Sequence, residues 1–144
     1  MLNRLISLRL LAIVGDVLVW LPLLAPCVFW AVRLLGGRVP VFDYLMPAEL
    51  FPVAFAGGAL LLVAAWLAKT WRAAICWCVG VAAVSLVGSQ STAVVTGLAS
   101  GATEPTGWPW IAVLSLLALY ALALLTLAVY GAALSVRLGR KSQA

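Results

Sequence analysis

Asp16 is the one ionisable residue inside the long apolar runs of this 144-residue sequence. A charged side chain at the centre of a membrane-spanning helix costs about 2.5 to 3.5 kcal/mol on insertion scales, so it marks a functional site by default. On a helix, Asp16 shares one face with Trp20, Cys27 and Trp30. A carboxylate beside an aromatic ring suits a proton or an organic cation, and this is one interpretation of Asp16.

A structural role for Asp16 is the alternative interpretation. Asp16 is expected to lie roughly two turns from the inner end of its helix, where water can reach it. Arg9 lies seven residues earlier on the same helix face. A satisfied polar contact, or a pair formed between subunits, would explain Asp16 without any transport.

The third apolar run contains the other polar group of residues, with hydroxyl, amide and glycine positions at helical spacing. Small residues at every fourth position let helices approach closely, so Gly80 and Gly88 are predicted to pack against neighbouring helices. We expect this third helix to be the most enclosed of the four. Alternatively, Ser89, Gln90 and Thr92 line an outward-facing cavity. The candidate substrate-binding residues are therefore Asp16, Trp20, Ser89, Gln90 and Thr92.

Asp16 and Gln90 are predicted to lie at different depths. At about 1.5 Å of rise per residue, Asp16 falls on the inner side of the membrane midplane and Gln90 on the outer side. We therefore expect them to be separate positions along any pathway, not parts of one pocket.

The composition decides which elements must hold these residues. Hydrophobic residues make up 66% of the chain and charged residues 9%, against roughly 25% charged in soluble domains. This excludes a soluble domain, a disordered tail, a nucleic-acid binder and a disulfide scaffold. Four runs are long enough to cross a bilayer, and none alternates as a barrel strand would. The sequence predicts an all-α integral membrane protein with a single domain, 1–144: a four-transmembrane-helix bundle of two hairpins, with helices at about 8–33, 47–68, 72–99 and 107–137.

Basic residues predict the orientation, because lysine and arginine accumulate in short cytoplasmic loops. With both termini cytoplasmic, seven of the nine basic residues lie inside, and only Arg33 and Arg38 lie outside. We expect a multi-pass protein of the inner membrane whose first segment is retained and not cleaved as a signal peptide. Pro26 before Cys27, together with Asp16, argues against a cleavage site.

The first outer loop, 33–49, is apolar and is predicted to lie in the membrane interface. It is either a lid packed on the bundle or a docking surface or gate. Ionic pairs of Arg33 or Arg38 with nearby acids would anchor such a lid.

The sequence contains no histidine, which excludes a bis-histidine haem, a histidine-bound metal and a Ser-His-Asp triad. We expect no cofactor and no metal. The predicted function is non-enzymatic: an oligomeric bundle or a subunit of a larger membrane assembly, with the lipid bilayer and a second copy or a complex partner as its contacts, and no nucleic acid.

Two other functions remain open. One is a small proton- or cation-coupled transporter that uses Asp16. The size and the single acid in the first helix are similar to small multidrug transporters, although the acid is aspartate here and no other motif matches. The other is a membrane enzyme acting on lipid or quinone.

Overall fold

Four helices make up the fold in the computed structural model, which describes residues 2–36 and 50–143. They are α1 (Leu2–Leu35), α2 (Phe51–Ala68), α3 (Arg72–Val95) and α4 (Gly107–Gln143). Each contains a stretch long and apolar enough to cross a membrane. All regular secondary structure in the described residues is therefore helical. The chain is a multi-pass membrane protein. The predicted helical fold class is confirmed at this level.

The four helices are arranged in a ring. Helix α1 contacts α2 and α4, and α3 contacts α4 extensively and α2 to a smaller extent. Helices α1 and α3 therefore occupy opposite corners of the bundle. The start of α1 and the end of α4 meet, with the Arg9 guanidinium against Gly139. We call this end of the bundle, which also includes the α2–α3 turn, the termini end.

Small and branched apolar side chains fill the interior. Ala12, Ala64 and Ala128 are fully buried, so the helices approach closely around larger buried residues such as Leu61 and Leu127. The outer surface is also apolar, as expected for helices that face lipid.

Several helix boundaries differ from the sequence prediction. Helix α1 begins at Leu2 and ends at Leu35, not at about 8 and 33, and α4 continues to Gln143, not to about 137. Helix α3 ends at Val95 and not near residue 99, because Gly97 adopts a φ of +74°. The segment that follows is closed by the Thr103 hydroxyl, which donates a 2.7 Å hydrogen bond to the Thr96 carbonyl. Helix α2 begins at Phe51, and residues 37–49 lie outside the described residues. The predicted interfacial loop, 33–49, therefore falls almost entirely outside them.

Candidate functional site

Asp16 lies where α1, α2 and α4 meet. Its carboxyl group packs directly on the backbone of α4 at Gly131: a Cβ atom added to Gly131 would be 2.7 Å from Asp16 Oδ1 and 3.1 Å from its Cγ. The same added atom would be 3.0 Å from Leu61 Cδ1 of α2. A side chain at position 131 would therefore occupy the space that Asp16 uses.

The residue before Asp16 forms the contact with α2. A Cβ atom added to Gly57 would lie 2.7 Å from the Gly15 carbonyl oxygen, and one added to Gly15 would lie 3.0 Å from the Gly57 carbonyl oxygen. The two backbones thus touch without intervening side chains. Because Gly15 faces α2, the next residue, Asp16, faces α4.

Asp16 Oδ1 is buried and has no hydrogen-bond partner among residues 2–36 and 50–143. Within that part of the chain Asp16 forms no ion pair with Arg9, whose guanidinium lies against α4 instead. A Cβ atom added to Gly139 would be 3.1 Å from Arg9 Cζ. The fixed Arg9 partner that the structural interpretation of Asp16 would require is therefore not observed.

The residues around Asp16 are apolar. Ala12 and Val19, on the same face of α1, are fully buried, and Leu61 is fully buried on α2. An oxygen of a carboxyl group in such surroundings is costly to bury unless it gains a partner or a proton. The arrangement can therefore exchange a proton or contact a cation.

The other candidate binding residues lie in two places: Trp20 on α1, one turn from Asp16, and the rest on α3, at the opposite corner of the bundle. Trp20 is half-buried and packs against the core of the bundle. Ser89 is buried on α3 and donates a 2.9 Å hydrogen bond to the Leu86 carbonyl, and the Thr92 hydroxyl donates a 2.8 Å bond to the Gly88 carbonyl. These two hydroxyls are thus satisfied within their own helix. Gln90 is partly exposed on α3, at the opposite corner from α1.

The two glycines predicted to pack behave differently. A Cβ atom added to Gly88 would lie 3.5 Å from Leu116 Cδ1, so Gly88 does face α4. Gly80 is exposed and has no atom of another helix within 4 Å of an added Cβ. Within one chain, Gly80 is therefore not a packing residue, and α3 is not more enclosed than α2. The reason is that the small residues at every fourth position face outward in the first half of α3.

Sequence reasoning missed four glycines at helix contacts: Gly15, Gly57 and Gly131, which shape the Asp16 region, and Gly139, which packs against Arg9 at the termini end. A signal was present, because glycine inside a helix costs roughly 1 kcal/mol relative to alanine and usually has a packing reason. The partner helix of each glycine could not be read from the spacing.

A separate, shallow apolar groove lies between α2, α3 and α4. Its lining includes Phe51, Phe55, Val79 and Tyr120, and it does not include Asp16. The groove and the Asp16 site are thus distinct features of the bundle.

Comparison with known proteins adds no family: no family model, no curated protein and no solved structure matches the chain.

Proposed function

We propose that this protein is a small membrane transporter coupled to a proton or a cation, and that Asp16 is the group that binds it. The single observation behind the proposal is the buried Oδ1 atom of Asp16, which has no hydrogen-bond partner among the described residues. Intramembrane acids of this kind commonly belong to proton relays or ligand sites.

A pair between subunits explains this oxygen less well. Oδ1 is covered by the chain itself, through the contact with Gly131. A second copy could not reach that atom without moving α4. A proton or a small ligand that enters along the seam between α1 and α4 could supply the missing partner.

The chemistry around Asp16 favours a proton or an organic cation over a metal ion. Calcium and magnesium require about six or more oxygen ligands. The neighbours that touch Asp16 are Gly131 and Leu61, neither of which contributes a side-chain oxygen. Trp20, one turn further along the same face, offers an aromatic surface for an organic cation.

The test is uptake of tetraphenylphosphonium into vesicles that contain the purified protein, driven by an imposed pH gradient. Asp16→Asn should abolish gradient-driven uptake, and Asp16→Glu should retain part of it because the carboxylate is kept. Asp16→Asn should change the free energy of unfolding by less than about 1 kcal/mol, since it breaks no internal pair, whereas loss of a buried ion pair costs about 3 to 5 kcal/mol. A loss of that size, with uptake unchanged, would show that Asp16 is structural.

Assembly into an oligomer or a larger complex is the second candidate, and the outward face of α3 favours it. Gly80 and Ser91 are exposed there. Small and polar residues on the surface of a membrane-spanning helix are typical of contacts with another helix, because they allow close approach and hydrogen bonds between helices. Gly80→Leu should then lower the mass of the detergent-solubilised particle measured by light scattering. An unchanged mass would contradict this candidate and leave the transporter proposal standing.

The charge distribution supports placing the termini end in the cytoplasm of a cell with an inner membrane. Arg9, Lys69, Arg72, Arg137 and Arg140 all belong to that end. Glu104, in the connection between α3 and α4, belongs to the opposite end.

A further inference from the structure

An aromatic and basic cluster lies at the termini end, away from Asp16. It consists of Lys69, Trp71 and Arg72 in the α2–α3 turn, and Tyr130 and Arg137 on α4. The Trp71 and Tyr130 rings have centroids 5.9 Å apart, and the Arg137 Cζ atom lies 5.4 Å from the centroid of the Trp71 ring. We call this group the Trp71 cluster.

Arg137 is held in place by an aromatic ring and not by an acid. A guanidinium placed over an indole face is attracted by the ring quadrupole, and its N–H groups stay available for a planar acceptor. Within residues 2–36 and 50–143, no ion pair neutralises Arg137, Lys69 or Arg72, and all three side chains are exposed.

The turn beneath the cluster has an unusual backbone. Lys69 and Trp71 have φ values of 53° and 52°, a left-handed conformation that costs a residue other than glycine about 1 to 2 kcal/mol. Strain of this kind persists where the surrounding structure fixes it and often accompanies a binding function. Here it lies in the short turn in which Lys69 and Arg72 flank Trp71 in the sequence.

The ends of apolar helices meet the lipid headgroups, which is where tryptophan and tyrosine rings are preferred. Among the described acids, Asp16 lies between the helices and Glu104 lies at the end of the bundle opposite the Trp71 cluster. No described carboxylate therefore competes for these cations. The ligand that complements three free cations and two rings at this depth is an anionic headgroup attached to acyl chains.

We propose that the Trp71 cluster is a binding site for the phosphate headgroup of an anionic phospholipid. Arg137 binds the phosphate, Lys69 and Arg72 add positive charge, and Trp71 orients Arg137. This site is separate from Asp16, and the proposal does not depend on the transporter function.

Native mass spectrometry of the detergent-purified protein, mixed with phosphatidylglycerol and phosphatidylcholine, tests the site. The wild-type protein should retain phosphatidylglycerol in preference to phosphatidylcholine. Arg137→Gln should weaken that binding about fivefold, the contribution expected of one basic residue at a membrane surface. Trp71→Leu keeps every charge and should weaken the binding by a similar factor, because Arg137 loses its support.

Arg140→Gln is the matched control, since it removes the same charge from the same helix outside the cluster. It should weaken phosphatidylglycerol binding clearly less than Arg137→Gln does, because Arg140 lacks the ring contact that holds Arg137 in place. Equal losses in Arg137→Gln and Arg140→Gln, or an unaltered affinity in Trp71→Leu, would indicate a diffuse charge effect and overturn the site.

Inorganic phosphate distinguishes the lipid from a soluble anion. Phosphatidylglycerol should raise the melting temperature of the wild-type protein, and an excess of inorganic phosphate should not. An equal rise with phosphate alone would mean that the cluster binds free phosphate and that the lipid assignment is wrong.

Discussion

Asp16 and Gly131 define the site at the scale of single residues. The carboxyl group occupies space that any side chain at position 131 would fill, so the absence of a Cβ atom is required for the observed position of Asp16. This pairing links the buried Oδ1 atom of Asp16 on α1 to a specific turn of α4. It also makes the site testable without any knowledge of a substrate.

Gly131→Ala should destabilise the protein by about 1 to 3 kcal/mol, the usual cost of adding a methyl group to a packed interior. Unfolding in detergent, followed by circular dichroism, measures this change. Gly80→Ala is the control: nothing lies within 4 Å of its added Cβ, so it should be neutral or stabilise by up to about 1 kcal/mol.

Combining Gly131→Ala with Asp16→Ala should recover most of the lost stability, because the carboxyl group no longer occupies that space. A double-mutant cycle reports this coupling directly. Strictly additive effects of the two changes would contradict the packing of Asp16 on Gly131.

At the scale of helices, the crossing of α1 and α2 at Gly15 and Gly57 determines which way Asp16 faces. The two backbones touch there, and an added Cβ on Gly57 would meet a carbonyl oxygen and not a flexible side chain. The neighbouring glycine, Gly58, instead faces Val79 Cγ2 at 3.2 Å from an added Cβ.

Gly57→Ala should therefore destabilise the bundle more than Gly58→Ala, which requires only a small shift of Val79. We expect the two substitutions to differ by about 1 kcal/mol or more in the free energy of unfolding. Gly57→Ala should also lower the gradient-driven uptake that depends on Asp16. Equal effects of the two substitutions would show that α1 and α2 do not cross as described.

The membrane-spanning helices could be predicted from the sequence, because uninterrupted apolar runs in a bilayer permit little else than helices. The interior contacts could not. Each run is apolar on all sides, so the sequence does not show which face of the helix is buried. Gly80 was therefore expected to pack against another helix but is exposed, and the contact at Gly131 was not predicted. The end of α3 was predicted about four residues too late, because an uncharged run does not show where a glycine such as Gly97 adopts the positive φ that ends a helix.

The whole molecule combines one enclosed acid with a basic end. The start of α1, the α2–α3 turn and the end of α4 lie together, as the contacts of Arg9 with Gly139 and Arg137 with Trp71 require. This contact supports the proposal that both termini lie on the same side of a membrane, and the basic residues favour the cytoplasmic side.

Labelling of single cysteines tests this arrangement in cells, after Cys27, Cys76 and Cys78 are replaced by alanine. A cysteine at Ser142 should be protected from a membrane-impermeant maleimide, and one at Thr103 should react. Reaction at Ser142 from outside intact cells would reverse the proposed orientation.

Proton entry into vesicles containing the purified protein tests the central claim most directly, because it asks whether Asp16 exchanges a proton. With a pH-sensitive dye and tetraphenylphosphonium enclosed in the vesicles, outward movement of the cation should draw protons inward faster through the wild-type protein than in empty vesicles. Asp16→Asn should reduce the flux to the level of empty vesicles while its melting temperature stays close to that of the wild type. An Asp16→Asn protein that conducts protons as the wild type does would contradict the account.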